Sequence, residues 1–509
     1  MGEHAVGLET VKGDALRFRR MVGREALNQP YEYVLALVGD DEGISFDELL
    51  GTGVTVTVRT LTGVERRFHG LVSQVAFKGI EEKAVLYEAR LRPWLWFLGR
   101  TTDCRIFQDQ TVPDILRKIF AKHPGSEADF RLSATYPVRN YCVQYRESDL
   151  DFVSRLMEEE GIAYFFEHRA GGHKLVLGDA PDVFKTRPKY EEVPFFPESE
   201  KARRERDHLY RWDAAAEIRS GTYLHTAFDF EKPRADLAAK RASPFSHGLA
   251  EGELYDYPGP HLELGRGEAV ARLRLEAEQA GHERAVAVGT AAGLSAGQRF
   301  KLCRYVRDDQ NRDYLVRAIE HELWDPNYRS GTEGGEDVEI YRCKLEVQPA
   351  SRPYRPPLVT PKPFVRGPQT AIVTGPKGEE IWTDKYGRVK VQFHWDREGK
   401  RDETSSCWVR ASQLWAGSGF GGIHVPRLGQ EVIVDFLEGD PDRPIITGRV
   451  YNAQTMPPYG LPGSATQSGI KSNSSKGGGG SNELRFEDKK GTDHVRLHAQ
   501  KNDDIDDEN

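Results

Sequence analysis

The stretch from Ile381 to Asn452 limits the possible folds more than any other part of the chain. Val389, Val391 and Phe393 alternate with Lys390, Gln392 and His394, which predicts a strand with one buried and one solvated face. The polar run Arg397 to Thr404 predicts a turn, and Cys407, Trp408 and Val409 predict the returning strand. Val432, Val434 and Phe436 form a third alternating strand, Gly439-Asp440-Pro441-Asp442 turns the chain, and Ile445 to Val450 makes a fourth. Several strands in so short a segment imply closure into a small barrel, because an open sheet would leave edges that template aggregation. Four of the eight tryptophans, Trp382, Trp395, Trp408 and Trp415, supply the large apolar area that a small core needs.

Upstream of this block the chain reads as short strands interrupted by three helices. Val54 to Val58 alternates strictly, as does the stretch around Leu175 to Leu177. Thr111, Pro113 and Asp114 predict the start of a helix with Val112, Ile115, Leu116, Ile119 and Phe120 in one apolar stripe. Ser148 and Asp151 form a capping box for a second helix, stopped by Gly161, and a third is expected from Glu268 to Ala280. Glu158, Glu159 and Glu160 point about 100° apart on that second helix and cannot converge on one bond, so they are read as a solvated helix end.

Prolines crowd residues 353–370, predicting an extended linker, and the run 456–481, ending in Gly477 to Gly480, predicts another. The expected organisation is a β-rich region 1–352, linker 353–370, barrel domain 371–455, linker 456–481 and tail 482–509. In the tail, Leu484 and Phe486 alternate, as do Val495, Leu497 and Ala499, yet two such strands cannot bury an apolar face by themselves. Leu484, Phe486, Val495 and Leu497 are therefore the candidate contacts between copies of the chain.

Motifs that invite a chemical reading do not complete one. Gly417, Gly419 and Gly422 spell G-x-G-x-x-G, but Pro426 and a strand follow where a dinucleotide site needs a helix, so the segment is read as a flexible barrel loop. Cys407 sits in an alternating strand with no local base and reads as a core thiol. His394, His424, His494 and His498 show no spacing that completes a metal site; the last two share a strand face but lack a third ligand. No catalytic, cofactor or metal residue is assigned.

A length of 509 residues exceeds what one core supports. With 71 Lys plus Arg against 79 Asp plus Glu, the net charge of −8 disfavours binding to a phosphate backbone, although Lys390, Arg397, Lys400 and Arg401 make a local basic patch. The five cysteines are far apart and read as reduced thiols. Residues 1–20 lack a signal peptide pattern, Gly2 lacks the Ser or Thr of a myristoylation signal, and no segment reaches the ~20 apolar residues of a membrane span.

The runs DKYGRVKVQFHWDREGKRDETSSCWVRASQLWAG, from Asp384 to Gly417, and RLGQEVIVDFLEGDPDRPIITGRVYN, from Arg427 to Asn452, closely resemble the OB-fold barrel of the VgrG family, spike proteins of type VI secretion systems. FHGLVSQ at Phe68, RPWLWFL at Arg92, RIFQDQTVPDIL at Arg105, YRESDLDFVSRLMEEEGIAYFF at Tyr145 and the tail from Leu461 to Gly491 resemble that family too, so nearly the whole chain is covered. The resemblance implies a mainly β protein with a few helices: an α+β, phage hub-like tube-docking region of paired β-barrels, an OB-fold neck and the start of a trimeric β-helix needle. It also implies a homotrimer that caps the tube protein Hcp among baseplate components, takes a PAAR-repeat tip, and delivers effectors with adaptor or chaperone proteins. Such a protein is expected to assemble in the cytoplasm and to be secreted by the system itself, without stable membrane insertion or nucleic-acid binding. Two other readings are a phage-type spike with cell-wall hydrolase activity and an oligonucleotide-binding OB protein. Only Tyr451 to Ser481 separates barrel from tail, too short for a lysozyme-like insertion. Where valine-rich needle repeats are expected to continue, Asp503 to Asn509 are acidic, so a short or truncated needle is expected and a PAAR-binding tip is in question.

Overall fold

The computed structural model describes residues 6–82, 84–199, 206–325, 340–504 and 506. Gly2, weighed above as a lipidation site, and residues 505 and 507–509 of the acidic ending lie outside them. The chain divides into two compact units: residues 1–102, 112–137 and 148–361, and residues 103–111, 138–147 and 362–509.

In the first unit one hydrogen-bonded path of strands runs through the region expected to hold paired barrels. Its order is Val6–Glu9, Gly53–Arg59, Glu65–Glu81, Ala84–Arg92, Gln29–Gly39, Leu16–Ala26, Asp313–Trp324, Tyr341–Pro349, Glu283–Gly289 and Leu209–Ala216. Strict alternation builds it: Tyr31, Tyr33, Leu35 and Leu37 of one strand are all buried, as are Val85, Tyr87, Ala89 and Leu91 of its antiparallel neighbour. Two smaller three-stranded sheets accompany it, one of Ala128–Arg131, Ala163–Arg169 and Gly172–Gly178, the other of Thr222–His225, Ala239–Ala242 and Glu253–Asp256.

Helix α1, Val112–Phe120, buries the expected stripe of Val112, Ile115, Leu116, Ile119 and Phe120. Helix α2, Asp149–Glu160, opens with the Ser148 hydroxyl accepting the Asp151 N–H at 3.0 Å and closes at Gly161, φ +69. Helix α3 spans Leu264–Gln279 and so begins four residues before the expected start. Gly265 and Gly267 mask its first turn in the sequence, yet Gly267 is needed there, because a Cβ would lie 2.6 Å from His261 Nε2.

The acidic end of α2 corrects the sequence reading. Glu158 and Glu160 are buried, not solvated. Glu158 accepts the backbone N–H groups of Val359 and Thr360 at 3.0 and 2.9 Å and the Thr360 hydroxyl at 2.7 Å. Glu160 pairs with Arg266 at 2.7 Å, and Arg274 donates to the carbonyls of Glu158 and Glu159. Local periodicity gave no sign of these partners, all of them more than a hundred residues away.

The second unit is built around a five-stranded sheet ordered Lys390–Phe393, Gln369–Thr374, Glu431–Phe436, Pro444–Val450 and Arg410–Ala411. The ring closes where Val389 and Val409 exchange both backbone hydrogen bonds, at 3.0 and 2.8 Å. Regular pairing in the strand expected at Cys407 to Val409 is thus confined to that bridge and the two residues Arg410–Ala411. The core contains Val389, Val391, Phe393, Cys407, Val432, Val434 and Phe436, as the alternation predicts; Gln392, expected on the solvated face, is instead buried, because its amide donates to the carbonyls of Phe393 and Asp396 and accepts the Arg401 N–H.

Residues 103–111 and 138–147, read from sequence as hub, belong to this unit and strap the barrel. Tyr141 and Val143 join its core, and the Val143 N–H donates to Asp442 Oδ1 at 2.6 Å. Tyr145 packs edge-on to Trp395 and its hydroxyl accepts from Gln369, whose own carbonyl accepts the Trp395 indole N–H at 2.8 Å. Asp442 also binds Lys362 at 2.7 Å, which gives the Gly-Asp-Pro-Asp turn a purpose beyond reversing the chain. Replacing Asp442 with alanine removes both the acceptor of the Val143 N–H and the partner of Lys362 and is expected to cost about 1–3 kcal/mol. Urea unfolding of the barrel followed by tryptophan fluorescence measures this; an unchanged midpoint would refute the strap's contribution.

Candidate trimerisation surface

The end of the second unit is an antiparallel sheet of Gln467–Lys471, Glu483–Glu487 and His494–His498. Its register sets Ile470 opposite Leu484, Leu484 opposite Leu497, and Phe486 opposite Val495. Directly opposed residues share a face, so the four residues singled out from the sequence, together with Ile470, form one apolar surface. All five are exposed, between 39 % and 64 %. The other face carries Glu483, Arg485, Glu487, His494, Arg496 and His498, and on it Glu483 is buried, 4.0 Å from Arg485 and 3.8 Å from Arg496.

This sheet is inside out for a single chain: its buried residue is a carboxylate and its bare face is aliphatic and aromatic. Full burial of each such apolar side chain gains roughly 1.5–3 kcal/mol. A face of five such residues is the candidate contact between copies of the chain.

Sequence reasoning missed Ile470, because its strand lies inside the Gly/Ser-rich stretch 456–481 that was read as linker, where no alternation marks it. The same stretch contains a turn at Gly477, Gly478 and Gly479, whose φ values of +93°, +73° and +89° require glycine. Around it, the Gly477 N–H donates to Glu380 at 2.6 Å, Lys476 pairs with Glu379 at 2.9 Å, and Arg427 donates to the Asn473 carbonyl at 2.9 Å.

The remaining candidates fall in ordinary structural places. The Cys407 thiol is buried, and burial pushes it up to about 12, so no thiolate is available near neutral pH. Of the basic patch, Arg397 pairs with Asp103 at 2.7 Å and the Lys390 ammonium lies over the Trp408 ring at 5.4 Å. His394 contacts the Thr370 hydroxyl at 3.0 Å, while His494 and His498 lie opposite Glu487 and Glu483 on the polar tail face. Among the described residues, no group of three or more His, Cys, Asp or Glu is placed to hold a metal ion. Gly417, Gly419 and Gly422 lie in an irregular barrel excursion with no helix after it.

Comparison with known proteins agrees with this geometry from end to end. Residues 24–327 match the phage tail baseplate hub (GPD) family and residues 372–451 the type VI secretion system/phage-baseplate injector OB domain. Residues 468–509 match the bacteriophage T4 gp5 C-terminal trimerisation domain, the region of the inside-out sheet. The Pseudomonas aeruginosa type VI secretion system spike proteins VgrG1b and VgrG1a are 49% and 48% identical over 97% and 96% of this chain, which covers 67% and 76% of their lengths. The chain belongs to the VgrG family of type VI secretion spike proteins.

The actin cross-linking toxin VgrG1 of Vibrio cholerae is 33% identical to this VgrG-family chain over 98% of it, which covers 46% of that protein. Among solved structures, an Escherichia coli type VI secretion component described as similar to the T4 tail proteins gp27 and gp5 aligns with a TM-score of 0.63 at 21% identity, over 87% of this chain and 100% of that one. The Francisella PdpA-VgrG complex, half-lidded, aligns with a TM-score of 0.59 at 7% identity, over 95% and 84%. At those identities the likeness is one of fold. This VgrG-family chain is a structural spike protein, mainly β with an OB domain, and its trimerisation region makes it a homotrimer.

Proposed function

We propose that three copies join through Ile470, Leu484, Phe486, Val495 and Leu497 to form the base of a needle. The first unit docks on an Hcp tube within the baseplate, and the OB barrel serves as the neck between tube and needle. The observation that carries this reading is the tail sheet, whose apolar face stays bare in one chain while its carboxylate is buried. The work of such an assembly is mechanical: a symmetric trimer caps the tube, carries effector proteins held directly or by adaptors, and is driven into a target envelope. A PAAR-repeat protein would cap a needle continued from this tail. The chain itself performs no catalysis in this reading. It is made in the cytoplasm and leaves through the secretion system; no helix among the described residues is long and apolar enough to cross a membrane.

Light scattering of the purified chain is expected to give a mass near three times 57.5 kDa. A stable monomer at micromolar concentration would overturn the reading. Capture of Hcp hexamers by the trimer tests the docking end separately.

A further inference from the structure

Between Gln413 and His424 the chain leaves the barrel in an excursion that is more ordered than its glycines suggest. The Gly422 N–H donates to the Leu414 carbonyl at 2.8 Å, the Gly417 N–H to the Phe420 carbonyl at 2.9 Å, and the His424 N–H to Gln413 Oε1 at 2.9 Å. Trp415 is held at φ +58°, and a Cβ on Gly421 would lie 2.2 Å from the Trp415 carbonyl oxygen. The positive φ at Trp415 and the close approach at Gly421 therefore define the backbone shape of this barrel loop. What that shape displays is apolar: Leu414, Trp415, Phe420 and Ile423 are 61–77 % exposed, with the Trp415 and Phe420 rings edge to face at 5.7 Å. A pre-shaped backbone presenting bare aromatic side chains is the form of a docking element, because its ordering cost is met before binding.

The excursion stands next to the trimerisation region. Arg427, three residues past its end, donates to the Asn473 carbonyl, and Asn473 lies within the residues that match the trimerisation domain. At the base of the excursion is a recess of about 280 Å³ lined by Ser412, Gln413, His424, Ile446, Gly448 and Arg449. The Arg449 guanidinium donates to the His424 carbonyl and so holds the recess and the excursion in one frame.

We propose that the aromatic tip at Trp415 and Phe420 docks into the 412–449 recess of a neighbouring copy of this chain, extending the trimer contact from the tail onto the barrel. Tip and recess are different patches of one chain, so the contact is head-to-tail and closes into a ring when each copy gives one tip and receives one. This inference rests on the trimeric reading above, and a second copy is the occupant because the surface adjoins the region through which copies associate.

The test uses the whole 509-residue chain. The double variant Trp415→Ala, Phe420→Ser changes only exposed side chains, so its circular dichroism and melting temperature as a monomer should match the parent. Its trimer is expected to dissociate at a concentration about 10–100-fold higher, as removal of aromatic anchors predicts. Benzoylphenylalanine placed at 420 should cross-link to a second chain, with peptides from 444–450 as the products. Cross-links confined to one chain, or a variant trimer as tight as the parent, would overturn the loop contact while leaving the trimeric function standing. A parent protein that is itself monomeric would overturn both. Flotation of the parent, but not the variant, with phosphatidylglycerol vesicles and no change in trimer affinity would reassign the tip to a lipid surface.

Discussion

Replacing Arg66 with methionine should destabilise the first unit by about 3–5 kcal/mol, the cost of leaving a buried carboxylate without its cation. Arg66 and Glu25 form an ion pair in which both side chains are almost fully buried. Glu25 Oε1 also accepts the Tyr33 hydroxyl at 2.7 Å and faces His321 Nε2 at 3.2 Å, while its Oε2 accepts the Ala296 N–H at 3.3 Å. Burial alone would raise the Glu25 carboxyl; the Arg66 charge and the His321 contact outweigh it and hold the group below the usual carboxylate range. Arg66 in turn lies 4.5 Å over the Phe68 ring, so its methylene stem and its charge are both in use. Methionine keeps much of the stem and removes the charge, which isolates the electrostatic part of the loss. Adding Glu25→Gln to the variant should recover a good part of the stability, because a neutral amide carries a smaller desolvation penalty. Urea titrations of the two single variants and the double variant complete the cycle. Equal midpoints for Arg66→Met and the parent would show that the pair contributes nothing.

Glu25, Arg66 and His321 show where sequence reading stops. Each sits in a different strand, and their meeting is set by the order of strands in the sheet: Leu16–Ala26 beside Asp313–Trp324 is a pairing across nearly three hundred residues. No local period encodes it. The barrel lay at the other extreme. Val389, Val391, Phe393, Val432, Val434 and Phe436 announced their faces by alternating with polar residues, although one of those, Gln392, is buried too. The strap at Tyr141 to Tyr145 was missed for the same long-range reason, since the Asp442 that receives its N–H is 299 residues away. The tail face was legible through Leu484, Phe486, Val495 and Leu497, whereas Ile470 stood alone among Gly and Ser. Glu158 was misread because a run of carboxylates at a helix end has the same local pattern whether water or a folded-back segment receives it.

The second large effect is acid lability of the first unit, and it comes from histidines of two different sheets, His69 in Glu65–Glu81 and His168 and His173 in Ala163–Arg169 and Gly172–Gly178. His173 Nε2 accepts the Trp94 backbone N–H at 2.9 Å, so its proton is on Nδ1 and is donated to His69 Nδ1 at 2.8 Å. His168 Nδ1 accepts the His69 backbone N–H at 3.1 Å and its Nε2 faces the Tyr33 hydroxyl at 3.1 Å. Charging His168 or His173 needs a proton on a nitrogen that already faces an N–H donor. Burial, with His69 and Arg169 adding to it, lowers His173 to about 3, and burial with Arg169 lowers His69 to about 4. The folded pKa of each is below the unfolded value near 6.5, so the unfolded chain takes up protons that the folded chain excludes. Stability is therefore complete above pH 6.5 and falls as the pH drops toward 4 and 3. Each excluded proton costs about 2 kcal/mol at pH 5, so the pair removes about 4 kcal/mol between pH 7 and pH 5. Asp207 works against this, because burial raises its carboxyl to about 6 and protonating it on acidification offsets roughly 1 kcal/mol. His69, His173 and Asp207 together give a fall of about 3 kcal/mol, and His168, which burial also holds well below the ordinary histidine range, adds to it in the same direction; the fall is read as a lower urea midpoint at pH 5 than at pH 7. A His173→Gln, His69→Gln variant should be weaker at pH 7 yet lose markedly less on acidification. An equal pH dependence in parent and variant would assign the acid response to other groups.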